Sequence, residues 1–188
     1  MDKERWNILL ERLTSGVHQK FDGYIKDDNH IDIAYKFLLK HNLDNKDVEF
    51  LDLGCGPDAR LQEKLSSNYC GADYDFPNKI GNYVICDGHT LPFEDKNFDV
   101  VFCSHMLEHT IAPIIVIDEI KRVLRDDGRA IISVPCYPSF LGDDHNYVLT
   151  PGGWKHLFVR SGFVVIDDET VKNCLSVLLK KRLIDEPR

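Results

Sequence analysis

The run Val48-Glu-Phe-Leu-Asp-Leu-Gly-Cys-Gly-Pro-Asp58 constrains this chain more than any other stretch. Val48, Phe50, Leu51 and Leu53 form a short apolar run of the kind buried inside a parallel sheet, and it stops at two glycines. Gly54 and Gly56 open backbone angles closed to other residues, so the chain can turn sharply and a ligand can approach its N–H groups. Pro57 and Asp58 predict the first turn of a helix: proline fits there without losing a hydrogen bond, and an acid answers the partial positive charge. Strand, glycine turn and helix together predict the opening of a nucleotide site in an α/β sheet.

Two cofactors compete for such a turn. Gly54-x-Gly56-x-x-Ala59 formally satisfies the dinucleotide fingerprint, with Asp73 close to the offset of a ribose-binding acid. A pyrophosphate, however, needs free N–H donors and positive potential at the helix start. Pro57 removes one donor, and Asp58 places a carboxylate where the phosphates would sit. A cofactor of net positive charge suits the turn better. S-adenosylmethionine, with a sulfonium and an ammonium against one carboxylate, is such a cofactor.

The remaining constraints come from composition. A chain of 188 residues with 43% hydrophobic residues has the material for one domain with a real core. A net charge of −8 disfavours a broad nucleic-acid footprint, which needs clustered Lys and Arg, and Lys180-Lys181-Arg182 reads as a solvated tail. The six cysteines, Cys55, Cys70, Cys86, Cys103, Cys136 and Cys174, show no C-x-x-C pairing. They read as buried reduced thiols, so neither a disulfide frame nor a metal site is expected. With no membrane-length apolar run and no signal-peptide core after Met-Asp-Lys-Glu-Arg, the expectation is a cytoplasmic, soluble protein.

Along the chain, Trp6, Leu9, Leu10, Leu13 and Val17 share a helical face, and a second amphipathic helix is predicted from about Ile31 to His41. These N-terminal helices, within residues 1–47, read as a cap on a domain of residues 48–188. Leu61 and Leu65 predict a short helix after the glycine turn, and Tyr69 to Tyr74 a second strand. Only about eight residues separate that strand from the next, Tyr83 to Asp87, too few for a crossover helix, so a loop is expected. A fourth strand (Phe98 to His105), a helix (Ala112 to Leu124) and a fifth strand (Arg129 to Pro135) follow. Cys136 to Thr150 reads as a long polar and aromatic loop, and Pro151 to Arg160 as a helix capped by Thr150. Phe163 to Asp167 and Cys174 to Leu179 predict a terminal hairpin, although Leu175, Leu178 and Leu179 also fit a helical period.

Leu51-Asp52-Leu53-Gly54-Cys55-Gly56 resembles the first motif of class I S-adenosylmethionine-dependent methyltransferases of the small single-domain type. Asp87-Gly88-His89-Thr90-Leu91-Pro92-Phe93, Phe98-Asp99-Val100-Val101 and Leu107-Glu108-His109 resemble the family's next segments, in order. Glu119-Ile120-x-Arg122-Val123-Leu124 and Asp127 to Pro135 complete the run, which covers roughly residues 48 to 170. The resemblance implies an α/β fold: a doubly wound, mostly parallel Rossmann-like sheet, here with a C-terminal antiparallel hairpin and N-terminal helices.

It also implies site residues. Asp52, Gly54, Cys55 and Gly56 would hold the methionine end of the cofactor, with Ser104 contributing through its backbone. Asp73, with Tyr74 alongside, would accept the ribose hydroxyls, Asp75 being the alternative if the strand end slips by two. Asp87 and Gly88 would receive the adenine, with Leu91 and Phe93 as apolar walls or simply core. On the acceptor side stand His105, Glu108, His109 and His145 as candidates for proton transfer or acceptor positioning. The loop with Pro135, Tyr137, Pro138 and Phe140 would form the acceptor pocket. The resulting reading is methyl transfer to a small molecule such as a sugar, a sugar nucleotide or another metabolite, with no membrane partner and the oligomeric state open. The alternative is a non-catalytic module that keeps the fold and serves as a partner.

Overall fold

The computed structural model describes residues 29–65, 67–75, 78, 81–136 and 145–182. The helix expected around Trp6 to Val17 and the ring-bearing loop residues Tyr137, Pro138 and Phe140 lie outside them. A seven-stranded sheet runs in the order β3-β2-β1-β4-β5-β7-β6, built from β1 (Glu49–Leu53), β2 (Asn68–Asp73), β3 (Tyr83–Ile85), β4 (Phe98–Ser104), β5 (Leu124–Pro135), β6 (Phe163–Val171) and β7 (Cys174–Lys181). Strands β1 to β5 pair in parallel, and β7 runs antiparallel between β5 and β6. The order reverses between β1 and β4, which opens a crevice at their carboxyl ends, where ligands bind in such sheets.

The pleat sorts each strand between two cores. Leu51, Leu53, Val101, Cys103, Ile132 and Val134 face α2 (Pro113–Val123) and α3 (Pro151–Arg160). Phe50, Val100, Phe102 and Ile131 face the other way and meet Ala34, Phe37 and Leu38 of α1 (Asn29–Lys40). This alternation at period two requires both faces to be covered, which is why these strands read as nearly continuous apolar runs.

α3 begins as its sequence predicts: the Thr150 hydroxyl accepts from the Gly153 N–H at 3.1 Å, with Pro151 in the first turn. Its Trp154 is fully buried, donates from Nε1 to the Pro135 carbonyl at 2.9 Å and stacks on Phe158. The C-terminal ambiguity resolves to strand. Lys172 and Asn173 both take positive φ, 48° and 64°, the geometry of a two-residue hairpin turn that returns β7 onto β6. Leu175, Val177 and Leu179 then enter one core and Leu178 the other, as a strand demands. Consequently Lys180 and Lys181 belong to β7, and the solvated tail expected there is not formed by them.

The helix expected after the glycine turn is absent: residues 56 to 64 form successive turns. Gly56 and Ala59 both have positive φ (66° and 42°), which no α-helix tolerates. The bonds from Ala59 N–H to Gly56 O and from Gln62 N–H to Ala59 O close four-residue turns. Burial of Ala59 and Leu61 in the α1-side core offsets the lost helix, and Asp58 accepts from Asn78 rather than capping anything. Among the described residues 74–82 no helix forms, in line with the short β2–β3 connection, and no described helix is long and apolar enough to cross a membrane.

Candidate active site

The glycine turn directs its own amides inward. Gly54 and Cys55 donate to the Ala72 carbonyl at 2.8 and 3.4 Å, and Gly56 donates to Asp73 Oδ2 at 2.8 Å. A dinucleotide pyrophosphate would need such donors, and here the protein itself consumes them. Gly54 has no room for a side chain: φ is +77°, and an added Cβ would stand 2.7 Å from Met106. Met106 also fills the space beside Gly88, whose Cβ would lie 2.4 Å from its Cε, so this one side chain packs the β1 turn against the loop after β3.

Asp52, on β1, is 4% exposed and accepts a hydrogen bond from the Tyr69 hydroxyl at 2.8 Å. Burial, tempered by that hydrogen bond and reinforced by the nearby Asp73 charge, raises its pKa from 3.8 to about 7. A nearby positive group would restore its ionised form. Asp52, Gly54, Cys55 and Ser104 line one cleft, together with Ile31 of α1, Arg60, Leu61 and Phe102. The buried Ser104 Oγ has no hydrogen-bond partner there. The Cys55 thiol is pushed up to about 12 by burial and the adjacent carboxylates, so it stays neutral at physiological pH.

Asp73, at the end of β2, holds the turn with one oxygen and the Asp75 amide with the other, at 3.1 Å. Tyr74 beside it is 65% exposed, outside the packed site. Asp87 follows β3 and is half exposed; its Oδ1 accepts from the His89 N–H at 2.9 Å and lies 2.6 Å from His89 Nδ1. The side-chain bond with His89, against some desolvation, keeps the Asp87 carboxyl below the usual range. Leu91 joins the core, while Phe93 meets Phe98 edge-on at 5.0 Å. The segment between them is clamped from α2: Leu91 donates its N–H to Glu119 Oε2 at 2.8 Å. Arg122 bonds Glu119, Asp95 and the carbonyls of Leu91 and Phe93. Asp52 and Asp73 thus stand beside the glycine turn, and Asp87 follows the end of β3 on the same side of the sheet order.

Beyond β4 the chain reverses at His105, a non-glycine residue with φ 52°, and enters a 3₁₀ turn, Leu107–His109. Such a conformation costs about 1–2 kcal/mol and swings the His105 ring under the sheet edge. Its Nε2 lies 3.3 Å from Cys174 Sγ and its Nδ1 lies 3.1 Å from Glu108 Oε1. Burial opposes the imidazolium, but the Cys174 sulfur and the Glu108 carboxylate outweigh it and raise the His105 pKa to about 10. Behind Cys174, Ser133 and Ser176 complete a buried polar patch at the β5–β7 pairing.

Glu108 is fully buried. His109 sits beside it, with Nε2 3.9 Å from Glu108 Oε1. His145 is distant in sequence but meets His109 ring to ring, centroids 4.8 Å apart at 70°. Asn146 and Tyr147 hold it there, both donating their N–H to the Glu108 carbonyl, with Asn146 Nδ2 bonding the His109 carbonyl. The structure therefore gathers His105, Glu108, His109 and His145 on one side of the β4 end. Sequence reasoning did not single out Tyr69, Met106, Arg60 or the Cys174–Ser133 pair. Only the aromatic at the start of β2, one strand over from Asp52, offered a signal, and that needs the register Asp52↔Gly71 to be known.

Comparison with known proteins agrees with this geometry. Residues 51–132 match the family model described as a methyltransferase domain. An uncharacterized protein of Methanocaldococcus jannaschii is 32% identical over 126 residues, 62% of this chain and 56% of that one. A tRNA U34 carboxymethyltransferase of Nautilia profundicola is 30% identical over 140 residues, 66% of this chain and 46% of that one. The chain thus spans about half the length of these curated relatives. Among solved structures, the Burkholderia thailandensis 1,6-didemethyltoxoflavin-N1-methyltransferase, with 1,6-didemethyltoxoflavin and S-adenosylhomocysteine bound, superposes with a TM-score of 0.76 at 18% identity. It covers 97% of this chain and 91% of that one, a likeness of fold. With the strand order, the glycine turn and the matched segment in agreement, this chain has a Rossmann-like methyltransferase fold, and its residues 51–132 are similar to a methyltransferase domain.

Proposed function

We propose that this protein transfers the methyl group of S-adenosylmethionine to a small-molecule acceptor bound beside the β4 end. The observation that carries the reading is the division of polar groups. Acids at the ends of β1 and β2 flank the glycine turn, a third follows β3, and a separate Glu108–His109–His145 group stands past β4. On this reading Asp52 and Ser104 hold the methionine end, Asp73 the ribose and Asp87 the adenine. The residues fit that cofactor: the Asp52 carboxyl, close to half ionised at neutral pH, would be drawn into its charged form by a cationic ligand. When bound, the cofactor supplies a methyl group already activated by its sulfonium. What remains for the chain is to hold the acceptor in line with it, exclude water, and take a proton where the acceptor must lose one.

A net charge of −8 favours a compact, neutral or cationic acceptor over a polyanion. The toxoflavin methyltransferase of like fold is named for a small heterocyclic acceptor, whereas a relative in sequence is named for a transfer-RNA base. Calorimetry with S-adenosylhomocysteine should give micromolar binding, and NAD none of comparable strength. A metabolite pool incubated with methyl-labelled cofactor should yield a labelled small product. Label transferred only to transfer RNA would overturn the acceptor class. Cofactor binding with no transfer to either would instead support a non-catalytic partner module. Ala substitutions at Glu108, His109 and His145 should leave S-adenosylhomocysteine affinity intact. At least one should lower turnover about 10²–10⁴-fold if the acceptor is deprotonated.

A further inference from the structure

The Glu108 carboxylate poses a problem of its own. It is wholly buried, and neither of its oxygens has a well-directed hydrogen bond among the described residues, although Oε1 forms an ion pair with His105 Nδ1 at 3.1 Å. That pair offsets part of the cost of burying the carboxylate, but it leaves Oε2 unsatisfied. His145 Nδ1 is likewise buried without a hydrogen-bond partner. One ligand atom each from Glu108, His109 and His145 fall within 4.8 Å of one another.

We propose that Glu108, His109 and His145 bind a divalent transition-metal ion, zinc being the first choice. Two imidazoles and one carboxylate form a borderline donor set that suits zinc, and three protein ligands leave a fourth position open. Ligand atoms around a tetrahedral ion lie about 3.4 Å apart for bonds of about 2.1 Å, so the three must draw in by roughly an ångström. His145 can supply that movement, because it sits on a loop segment outside helix and strand. The rest of the site already has the form of a metal centre. His105 lies against the Glu108 carboxylate from behind, where it would fix its orientation. The Asn146 and Tyr147 amides pin the loop to the Glu108 carbonyl, which sets His145 over the turn that carries the other two ligands.

The absence of a C-x-x-C pattern led to an expectation of no metal, but these ligands are not cysteines. His145 joins Glu108-His109 across 36 residues only through folding. The role of the ion rests on the methyl-transfer reading above; its binding does not. In that role the open position would take an oxygen of the acceptor. A hydroxyl so coordinated loses its proton more readily, and the proton passes to solvent water.

The full chain, stripped with EDTA, is titrated with Zn²⁺ and its metal content measured after dialysis. The Co²⁺ form is examined by absorption spectroscopy. The expected result is one equivalent bound at about 1 µM or tighter, with a cobalt spectrum lacking a thiolate charge-transfer band. Glu108→Gln and His145→Gln should each weaken binding by at least about tenfold. Should E108Q fail to fold, His145→Gln, at a partly exposed position, carries the test alone, with circular dichroism as the check. No bound metal, wild-type affinity in a folded variant, or a thiolate band revealing a cysteine site would each overturn the proposal. S-adenosylhomocysteine calorimetry on the stripped protein separates this failure from that of the methyl-transfer reading, which needs cofactor binding and no zinc.

Discussion

Replacing Asp52 by Asn removes one negative charge from a buried site while keeping its size. The wild-type carboxyl has a folded-state pKa of about 7 against 3.8 ordinarily, with burial the largest cause. That difference corresponds to about 4 kcal/mol. Its sign follows from proton binding. Between pH 3.8 and about 7 the folded state holds the proton that the unfolded state has lost, so this group's contribution falls as pH rises and is flat beyond. Asn has no proton to lose. The stability difference, D52N minus wild type, should therefore rise across that window and level off above pH 7. The Tyr69 bond is already counted in that shift, so with the amide standing in for the protonated carboxyl the gain should approach, and not exceed, about 4 kcal/mol at pH 8.

Cofactor binding should move the other way. If the cationic end of the cofactor sits against Asp52, binding to wild type must expel the proton below pH 7. Wild-type affinity then improves up to about tenfold per pH unit on approaching pH 7, while that of D52N stays nearly flat and weaker. Urea denaturation and S-adenosylhomocysteine calorimetry from pH 5.5 to 8.5, on both proteins, measure the two quantities. A stability difference independent of pH would refute the pKa argument. Equal affinities with equal pH dependence would refute the contact.

Four further outcomes are expected. Asp73→Ala should weaken S-adenosylhomocysteine binding by roughly 2–4 kcal/mol without unfolding the domain; affinity within threefold of wild type would move the ribose role to Asp75. Gly54→Ala, with φ +77° and Met106 2.7 Å from its new Cβ, should abolish detectable cofactor binding and lower Tm, read by thermal melts; an unchanged Tm would show that the turn tolerates a side chain. Arg122→Ala breaks bonds to Glu119, Asp95 and the Leu91 and Phe93 carbonyls, and should cost about 2–4 kcal/mol, with faster amide exchange at Leu91. Trp154→Phe loses the Nε1 bond to the Pro135 carbonyl and leaves a void, for about 2–3 kcal/mol in urea denaturation.

The sequence by itself determined the parts of this protein written in local patterns. Apolar runs ending in glycine, the Thr150-Pro151 cap and the short Tyr74-to-Asn82 link placed the strands, α3 and the close succession of β2 and β3, because each depends on neighbours within a few residues. The resemblance from Leu51 onward pointed to Asp52, Asp73 and Asp87 as candidates for the cofactor, and parallel strands deliver their last residues to one edge of the sheet. Tertiary structure decided what depends on distant partners. The run after Gly56 has a helical pattern, but packing of Leu61 and of Ala59, the latter at positive φ, in the α1-side core won over local propensity. The strand identity of β7 required β5 and β6 on either side, since its leucines fit two periods. His105 could face either way on sequence grounds, until the reversal at φ 52° turned it toward Cys174 and Glu108. Likewise the meeting of His145 with Glu108 and His109 rests on backbone bonds across that gap, and side chains so far apart in the chain share no periodicity that a sequence could display.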